Sequence, residues 1–193
     1  MKDRRWLVVA AVAVAALQIG FLVSMIAGRA AILRDGREVV LQVRPVDPRD
    51  LLRGDYVTIG YNVSTVPVSL FAARPDEALR GAGETVFVRL APGEDGIWQP
   101  VAARYGEPPE ASASPDEVDI RGTVAMPWAD SATEIPIDYG IERFYVPEGE
   151  GRAIEAGIGE RSFRMKVAVA DDGTAQIKSF HDGETLLYAE PLY

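Results

Sequence analysis

The longest apolar stretch of the chain lies at its N-terminal end. Residues 6–28 carry no formal charge, and Gln18 and Ser24 are their most polar side chains. A helix of this length would measure about 34 Å, which is enough to cross the roughly 30 Å hydrocarbon layer of a bilayer. A soluble helix is rarely apolar on all sides over such a length. The pattern therefore predicts a transmembrane helix, with the lipid bilayer as the partner of residues 6–28.

The flanks of this stretch favour an uncleaved anchor over a signal peptide. Lys2, Arg4 and Arg5 form a basic N-terminal region, which is typical of both. The apolar run is longer than the 7–15 or so residues of a signal core, and Ala27-Gly28-Arg29 offers no clean cleavage site. We expect a single-pass protein of the inner membrane, and the alternative is secretion after signal cleavage.

Beyond residue 38, apolar and polar positions alternate over short runs that end at Gly- and Pro-rich turns. This spacing predicts a mainly β domain, with antiparallel strands in a barrel or sandwich and one short helix over 148–156. We divide the chain into an anchor (1–28), a polar stalk (29–38) and one β-rich domain (39–193). The predicted strands are 39–44, 55–64, 85–90, 97–105, 118–126, 139–146, 163–169, 175–180 and 185–188.

Three local signals refine this pattern. Asp171-Asp172-Gly173 between two alternating runs is the strongest hairpin signal in the chain. Pro100 lacks a backbone N–H, so it assigns the strand 97–105 to a sheet edge. Gly122 inside the strand 118–126 suggests a β-bulge.

Charge limits the partners of the β-rich domain. Residues 1–29 hold four basic residues and one acidic residue, and the remainder holds 16 basic and 28 acidic residues, a net charge of −12. Such a domain is repelled by nucleic acid, so no nucleic-acid partner is expected. Arg29, Arg34 and Arg37 follow the apolar run, so the basic bias toward its N-terminal side is slight. We expect the domain to face the periplasm.

The most informative residues of the domain lie between 45 and 61, in the run Pro45-Val46-Asp47-Pro48-Arg49-Asp50-Leu51-Leu52-Arg53-Gly54-Asp55-Tyr56-Val57-Thr58-Ile59-Gly60-Tyr61. Gly54 suits the positive φ of a tight turn, and Asp55 suits a side chain that accepts backbone N–H groups there. In the strand that follows, Ile59 and Tyr61 share one face and Tyr56 lies on the other. A turn that leads into a strand accounts for every residue type here.

The same run supports a second interpretation, as a binding surface. One short loop is crowded with charged residues, and Glu142, Glu148 and Tyr145 are candidates to face it. The charged residues of the loop are Asp47, Arg49, Asp50, Arg53 and Asp55. Arginines of such a loop suit a carboxylate of a partner, and its oxygens suit Ca²⁺. A solvated loop of weak ion pairs is the plainer alternative.

The run Gly54-Asp55-Tyr56-Val57-Thr58-Ile59-Gly60-Tyr61 resembles the signature of the GDYXXLXY family of bacterial membrane-anchored proteins, with Ile59 where the signature has Leu. The segments 45–53 and 139–149 resemble the family as well. The resemblance implies a single-anchor envelope protein and no particular activity. The candidate binding residues are Asp47, Arg49, Arg53, Gly54, Asp55, Tyr56, Ile59, Tyr61, Tyr139, Glu142 and Tyr145.

No catalytic set is apparent in the sequence. A serine–lysine protease would need a Ser shortly before Gly54, and residues 44–53 contain none. His181 is the only histidine and is predicted to lie in a surface turn, and there is no Cys, so no metal site and no cofactor are expected. The function predicted is a non-catalytic binding module for an envelope component or a multi-pass membrane protein. The alternative is an extracytoplasmic hydrolase that uses acidic residues.

Overall fold

The computed structural model describes residues 2–44, 56–72, 80–109, 113–145 and 161–191, and for residues 2–4, 56–58 and 144–145 it describes the backbone alone. Helix α1 spans Lys2–Asp35. Within the described residues it is the single helix that is long and apolar enough to cross a membrane. Length and composition of this kind suit an anchor and a signal sequence alike.

The described strands form two five-stranded antiparallel sheets and one two-stranded ribbon. Sheet I has the order β12-β11-β10-β1-β3, sheet II the order β4-β8-β7-β5-β6, and β2 pairs with β9. The strands are β1 (Arg37–Arg44), β2 (Tyr56–Thr58), β3 (Gly60–Tyr61), β4 (Thr65–Pro67), β5 (Thr85–Pro92), β6 (Trp98–Tyr105), β7 (Val118–Val124), β8 (Glu134–Asp138), β9 (Arg143–Tyr145), β10 (Phe163–Val169), β11 (Ala175–Asp182) and β12 (Thr185–Ala189). The prediction of a mainly β, sandwich-like domain behind an apolar helix is confirmed.

The core lies between the two sheets and follows the period-two pattern of the sequence. Sheet I contributes buried positions such as Leu41, Phe163 and Met165, and sheet II contributes Val88 and Ile120. The predicted hairpin around Gly173 is present as β10 and β11, and β6 with Pro100 is an edge strand of sheet II, as predicted. The helix predicted over 148–156 lies outside the described residues.

The strand predicted over 55–64 is broken into shorter pieces. β2 pairs with β9, the backbone N–H of Ile59 donates instead to the Glu142 carbonyl at 2.8 Å, and β3 then pairs with β1. Residues 62–64 form a 3₁₀ turn that leads into β4 of sheet II. The segment therefore crosses from one sheet to the other, which the alternation of its apolar residues does not reveal.

Three further details differ from the sequence pattern. Of the strand predicted over 139–146, only β9 forms, because residues 139–142 make a turn in which Gly140 has a φ of +77°. The strand β8, which contains Pro136, was not predicted. Gly122 is not at a bulge, since its pairing with β5 is in regular register. Glycine is needed at this position because a side chain would not fit. A Cβ atom there would lie 2.5 Å from Ile137 Cγ2 and 2.8 Å from the Asp138 carbonyl oxygen.

The last turns of α1 pack against the outer face of sheet I. Ala30 and Leu33 are buried, and α1 contacts β10 and β11. On β10, Val167 and Val169 belong to the core, so Ala168 faces the opposite side, yet it is fully buried. The segment 29–38, predicted as a stalk, is thus the end of α1 followed directly by the start of β1.

Replacement of Gly122 by Ala will destabilise the sandwich. The added methyl group must displace Ile137 and the backbone of Asp138, which costs about 1–3 kcal/mol in a packed interior. Thermal unfolding of the full chain in detergent, followed by near-ultraviolet circular dichroism, measures the loss. Gly81→Ala is the matched control, since nothing lies within 4 Å of a Cβ there. Equal melting temperatures of the two variants would contradict this packing role.

Candidate functional site

Four of the eleven candidate residues converge on one corner of the sandwich with their side chains described. Ile59 and Tyr61 come from the crossing between the sheets, and Tyr139 and Glu142 come from the turn after β8. The backbones of Tyr56 and Tyr145 pair directly across the ribbon, although their side chains are not described. The remaining candidates lie outside the described residues: Asp47, Arg49, Arg53, Gly54 and Asp55.

Reciprocal hydrogen bonds from two tyrosine hydroxyls hold this corner together. Tyr61 Oη donates to the Ile141 carbonyl, and Tyr139 Oη donates to the Val63 carbonyl, each at 2.7 Å. Tyr61 is 1% exposed and Tyr139 is 6% exposed. Burial, and then the nearby Glu142 carboxyl, raises the pKa of both phenols, so both remain protonated donors. Both side chains therefore serve the structure of the corner and are not open to a ligand.

The Glu142 carboxyl closes the turn and shares a proton with Asp138. Its Oε1 accepts the backbone N–H of Tyr139 at 2.7 Å. Oε2 is buried, and no N–H or hydroxyl group of the described residues donates to it. Glu142 is nevertheless hydrogen-bonded to the Asp138 side chain, and two carboxyl groups form such a bond only when one is protonated. Desolvation and this bond raise the pKa of Glu142 to about 7.

Asp138 is the ionised partner of this pair. The hydrogen bond from Glu142 is the largest cause of its lowered pKa, and the Gly140 N–H, which donates to Asp138 Oδ1 at 2.8 Å, adds to it. The positive charge of Arg143 acts in the same direction. The two carboxyls thus differ in protonation near neutral pH because one is more deeply buried than the other.

A groove of about 570 Å³ lies directly beside this corner, between sheet II and the β10–β11 hairpin. We call it the corner groove. Arg121 crosses it, donating from its backbone to the Gly173 carbonyl and from Nη2 to Thr174 Oγ1, both at 2.9 Å. Asp138 and Gly140 form another part of its wall. The corner groove therefore presents both charge signs and backbone polar groups to a ligand.

A serine–histidine pair on β11 was not among the predicted site residues. His181 lies on β11, not in a turn as predicted, and its Nε2 is 2.7 Å from Ser179 Oγ. Burial and the positive charge of Lys166 lower the pKa of His181. Had the predicted strand continued to residue 182, the spacing of two between Ser179 and His181 would have placed both side chains on one face. Ser179 is only 7% exposed, which leaves its hydroxyl no approach for a substrate.

The described residues offer no cluster of three or more His, Asp or Glu side chains arranged to hold a metal ion. The Ca²⁺ interpretation of the loop 47–55 concerns residues outside the described part of the chain. The arrangement at the corner is therefore one of packing, a shared proton and an adjacent polar groove.

The shared proton predicts a pH dependence of stability. The pKa of Glu142 is raised from 4.5 in the unfolded chain to about 7 in the folded protein, so the folded state binds the proton more tightly. The resulting stabilisation is complete below pH 4.5 and is lost as the pH rises through 7. Between pH 5 and pH 8 the wild type should therefore lose stability relative to Glu142→Gln. The difference between their denaturation midpoints isolates this group, and a difference independent of pH would contradict the assignment.

Comparison with known proteins gives one match. The family model described as GDYXXLXY protein matches residues 18–180, which include the end of α1, the tyrosine corner and the β10–β11 hairpin. No curated protein matches the chain. No solved structure matches it either. The match covers well over half of the chain and agrees with the signature at 54–61, so this protein belongs to the GDYXXLXY family.

Proposed function

We propose that this protein is a single-pass inner-membrane protein whose β-sandwich is a non-catalytic binding module on the periplasmic side. The observation that carries the proposal is the continuity of α1. The helix runs without a break from the uncharged residues 6–28 into its contacts with β10 and β11. A helix that is exposed over its apolar part and packed at its end is what a membrane anchor with a fixed domain requires.

The charge of the domain supports its placement outside the cytoplasm. Beyond residue 29 the chain carries a net charge of −12, whereas the residues before the apolar run include Lys2, Arg4 and Arg5. Basic residues near a membrane span favour the cytoplasmic side, although Arg29, Arg34 and Arg37 reduce the bias here. An acidic domain is also kept from adsorbing to anionic lipid by repulsion.

The corner groove supports the binding role. It is lined by side chains and backbone groups of both sheets, among them Arg121, Thr123 and Gln176, so its shape depends on an intact sandwich. The rigid junction with α1 holds it at a fixed height and orientation relative to the bilayer. A fixed polar groove of mixed charge suits a loop of a multi-pass membrane protein, which is held in the same plane.

Blocking the corner groove should abolish recovery of such a partner. Thr123 is exposed and lines the groove, so Thr123→Arg fills it with a long cationic side chain. Chemical crosslinking in native membranes, followed by purification of the full chain, should recover a specific membrane protein with the wild type and not with Thr123→Arg.

The matched control is Thr185→Arg, the same change at an exposed threonine of β12 that does not line the groove. It should recover the partner as well as the wild type. Equal recovery with both variants would remove the groove from the interface. Failure of the wild type to recover any specific protein would contradict the binding module itself.

A hydrolase remains the second candidate because of the Asp138–Glu142 pair. Paired carboxyls with pKa values moved in opposite directions are a recurrent arrangement of acid–base catalysts. The pair is in hydrogen-bond contact, whereas the carboxyls of glycosidases stand about 5–9.5 Å apart, so a shared-proton mechanism on peptides fits better.

This candidate predicts turnover of envelope peptides by the purified full chain. Activity should be lost in Asp138→Asn, whose amide oxygen can still accept the Gly140 N–H, so that the turn is kept while the carboxylate is removed. Peptide fragments separated by liquid chromatography and mass spectrometry provide the measurement. Absence of any cleavage by the wild type would exclude the hydrolase.

A further inference from the structure

A second groove, of about 310 Å³, lies where α1 meets the domain, and we call it the junction groove. It is walled by α1, the turn after β8, β9, β11, and β12 with the residue that follows it. Its lining includes two arginines and one carboxylate from three different elements. The residues are Arg29, Gly140, Ile141, Arg143, Gln176, Ile177, Tyr188 and Glu190.

The arginines of this groove come from unrelated parts of the fold. Arg29 lies on α1, and its Nε and Nη2 donate to Gln176 Oε1 at 3.3 and 3.2 Å, which directs the guanidinium toward β11. Arg143 lies on β9 and is exposed, and its positive charge also acts on Asp138. Two guanidinium groups in the lining of one groove suit a phosphate, with which arginine forms charge-assisted hydrogen bonds.

Glu190 gives the groove a second, opposite charge. Tyr188 Oη donates to Glu190 Oε2 at 3.0 Å, so the carboxylate is oriented at the groove wall. A carboxylate in the same lining as the two arginines opposes a simple anion. It suits a ligand whose phosphate is followed at a short distance by an ammonium group.

The position of the groove along the proposed membrane span identifies the source of such a ligand. Arg29 is the first charged residue after the uncharged run 6–28. This step depends on the proposed function, in which that run spans the bilayer, and it then places Arg29 in the head-group layer. Phosphate groups of lipids lie at this level, and long basic side chains reach them.

We propose that the junction groove binds the head group of a zwitterionic phospholipid that has a primary ammonium, as in phosphatidylethanolamine. The phosphate lies between Arg29 and Arg143, and the ammonium donates to Glu190. A choline head group has no N–H to donate to the carboxylate, and a glycerol head group has no positive charge. The groove therefore selects ethanolamine lipids over choline and glycerol lipids, and the bound lipid joins the end of α1 to β9 and β11.

Lipid retention by the full chain tests this proposal. The protein is placed in nanodiscs of phosphatidylcholine that contain equal small fractions of phosphatidylethanolamine and phosphatidylglycerol, released into mild detergent, and examined by native mass spectrometry. The wild type should retain phosphatidylethanolamine above its share of the nanodisc. Arg143→Gln should reduce this retention about tenfold, as expected for the loss of one charge-assisted pair. Glu190→Gln should abolish the preference over phosphatidylglycerol.

Arg104→Gln is the control, because Arg104 lies on β6 at the edge of sheet II and does not line the groove. It should retain the lipid as the wild type does. Equal retention in Arg143→Gln and Arg104→Gln, at equal melting temperatures, would overturn the proposal. So would full displacement of the lipid by water-soluble glycerophosphoethanolamine, since the groove would then serve a free solute.

Extraction of the membranes with alkaline carbonate separates this inference from the proposed function. Release of the protein into the soluble fraction would contradict the membrane anchor, and the head-group site would fail with it. A protein that stays in the membrane but shows no lipid preference would retain its anchor and lose only the site proposed here.

Discussion

The rest of the structure depends on the pair of tyrosine hydroxyls that join two chain crossings. The segment 59–65 leaves sheet I for sheet II, and the segment 138–143 leaves sheet II for the ribbon. The Tyr61 hydroxyl donates to a carbonyl in the segment 138–143, and the Tyr139 hydroxyl donates to a carbonyl in the segment 59–65. Each bond contributes about 1 kcal/mol, but a buried carbonyl left without its donor costs about 1–3 kcal/mol. The reciprocal arrangement satisfies the carbonyls of Ile141 and Val63, two residues that lie outside the strands.

This constraint explains the end of the family signature without a ligand. Ile59 and Tyr61 are both about 1% exposed, and the N–H of Ile59 is bonded to the Glu142 carbonyl at 2.8 Å. Ile59 and Tyr61 therefore belong to the inner face of a structural corner. The shared proton of Glu142 and Asp138 follows from the same geometry, because the turn that brings Tyr139 inward also buries one of the two carboxyls. A property that resembles catalysis thus has a structural origin.

Much of the fold was accessible from the sequence because its signals are local. Alternation predicted β1, β5, β7 and the β10–β11 hairpin, and it placed Ile59 and Tyr61 on one buried face. The crossings were not accessible, since alternation continues through 56–63 while the pairing partner changes. The strand β8 was missed: it contains Pro136, a residue type that is disfavoured inside sheets, yet it lies between β7 and the short β4.

The candidate site was only half predictable for the same reason. The resemblance of 139–149 to the family gave Tyr139 and Glu142 as candidates. The two tyrosine hydroxyls donate to the backbone carbonyls of Ile141 and Val63, and a backbone acceptor cannot be predicted from the type of residue that carries it. Ser179 and His181 were missed because the strand β11 was ended two residues early. Both grooves depend on residues that are distant in the sequence, such as Arg29 with Gln176 in the junction groove and Arg121 with Thr174 in the corner groove, and only the folded chain brings these together.

The junction of α1 with sheet I links these features into one mechanical unit. Ala30 and Leu33 pack on β10 and β11, whose hairpin also forms one wall of the corner groove through Thr174 and Gln176. Gly140 and Gln176 line both grooves, so the space beside the tyrosine corner and the space beside α1 share a wall. A displacement of α1 must therefore shift the hairpin or strain its packing, because interiors of this density do not deform freely. Coupling between α1 and the corner groove follows from this shared wall.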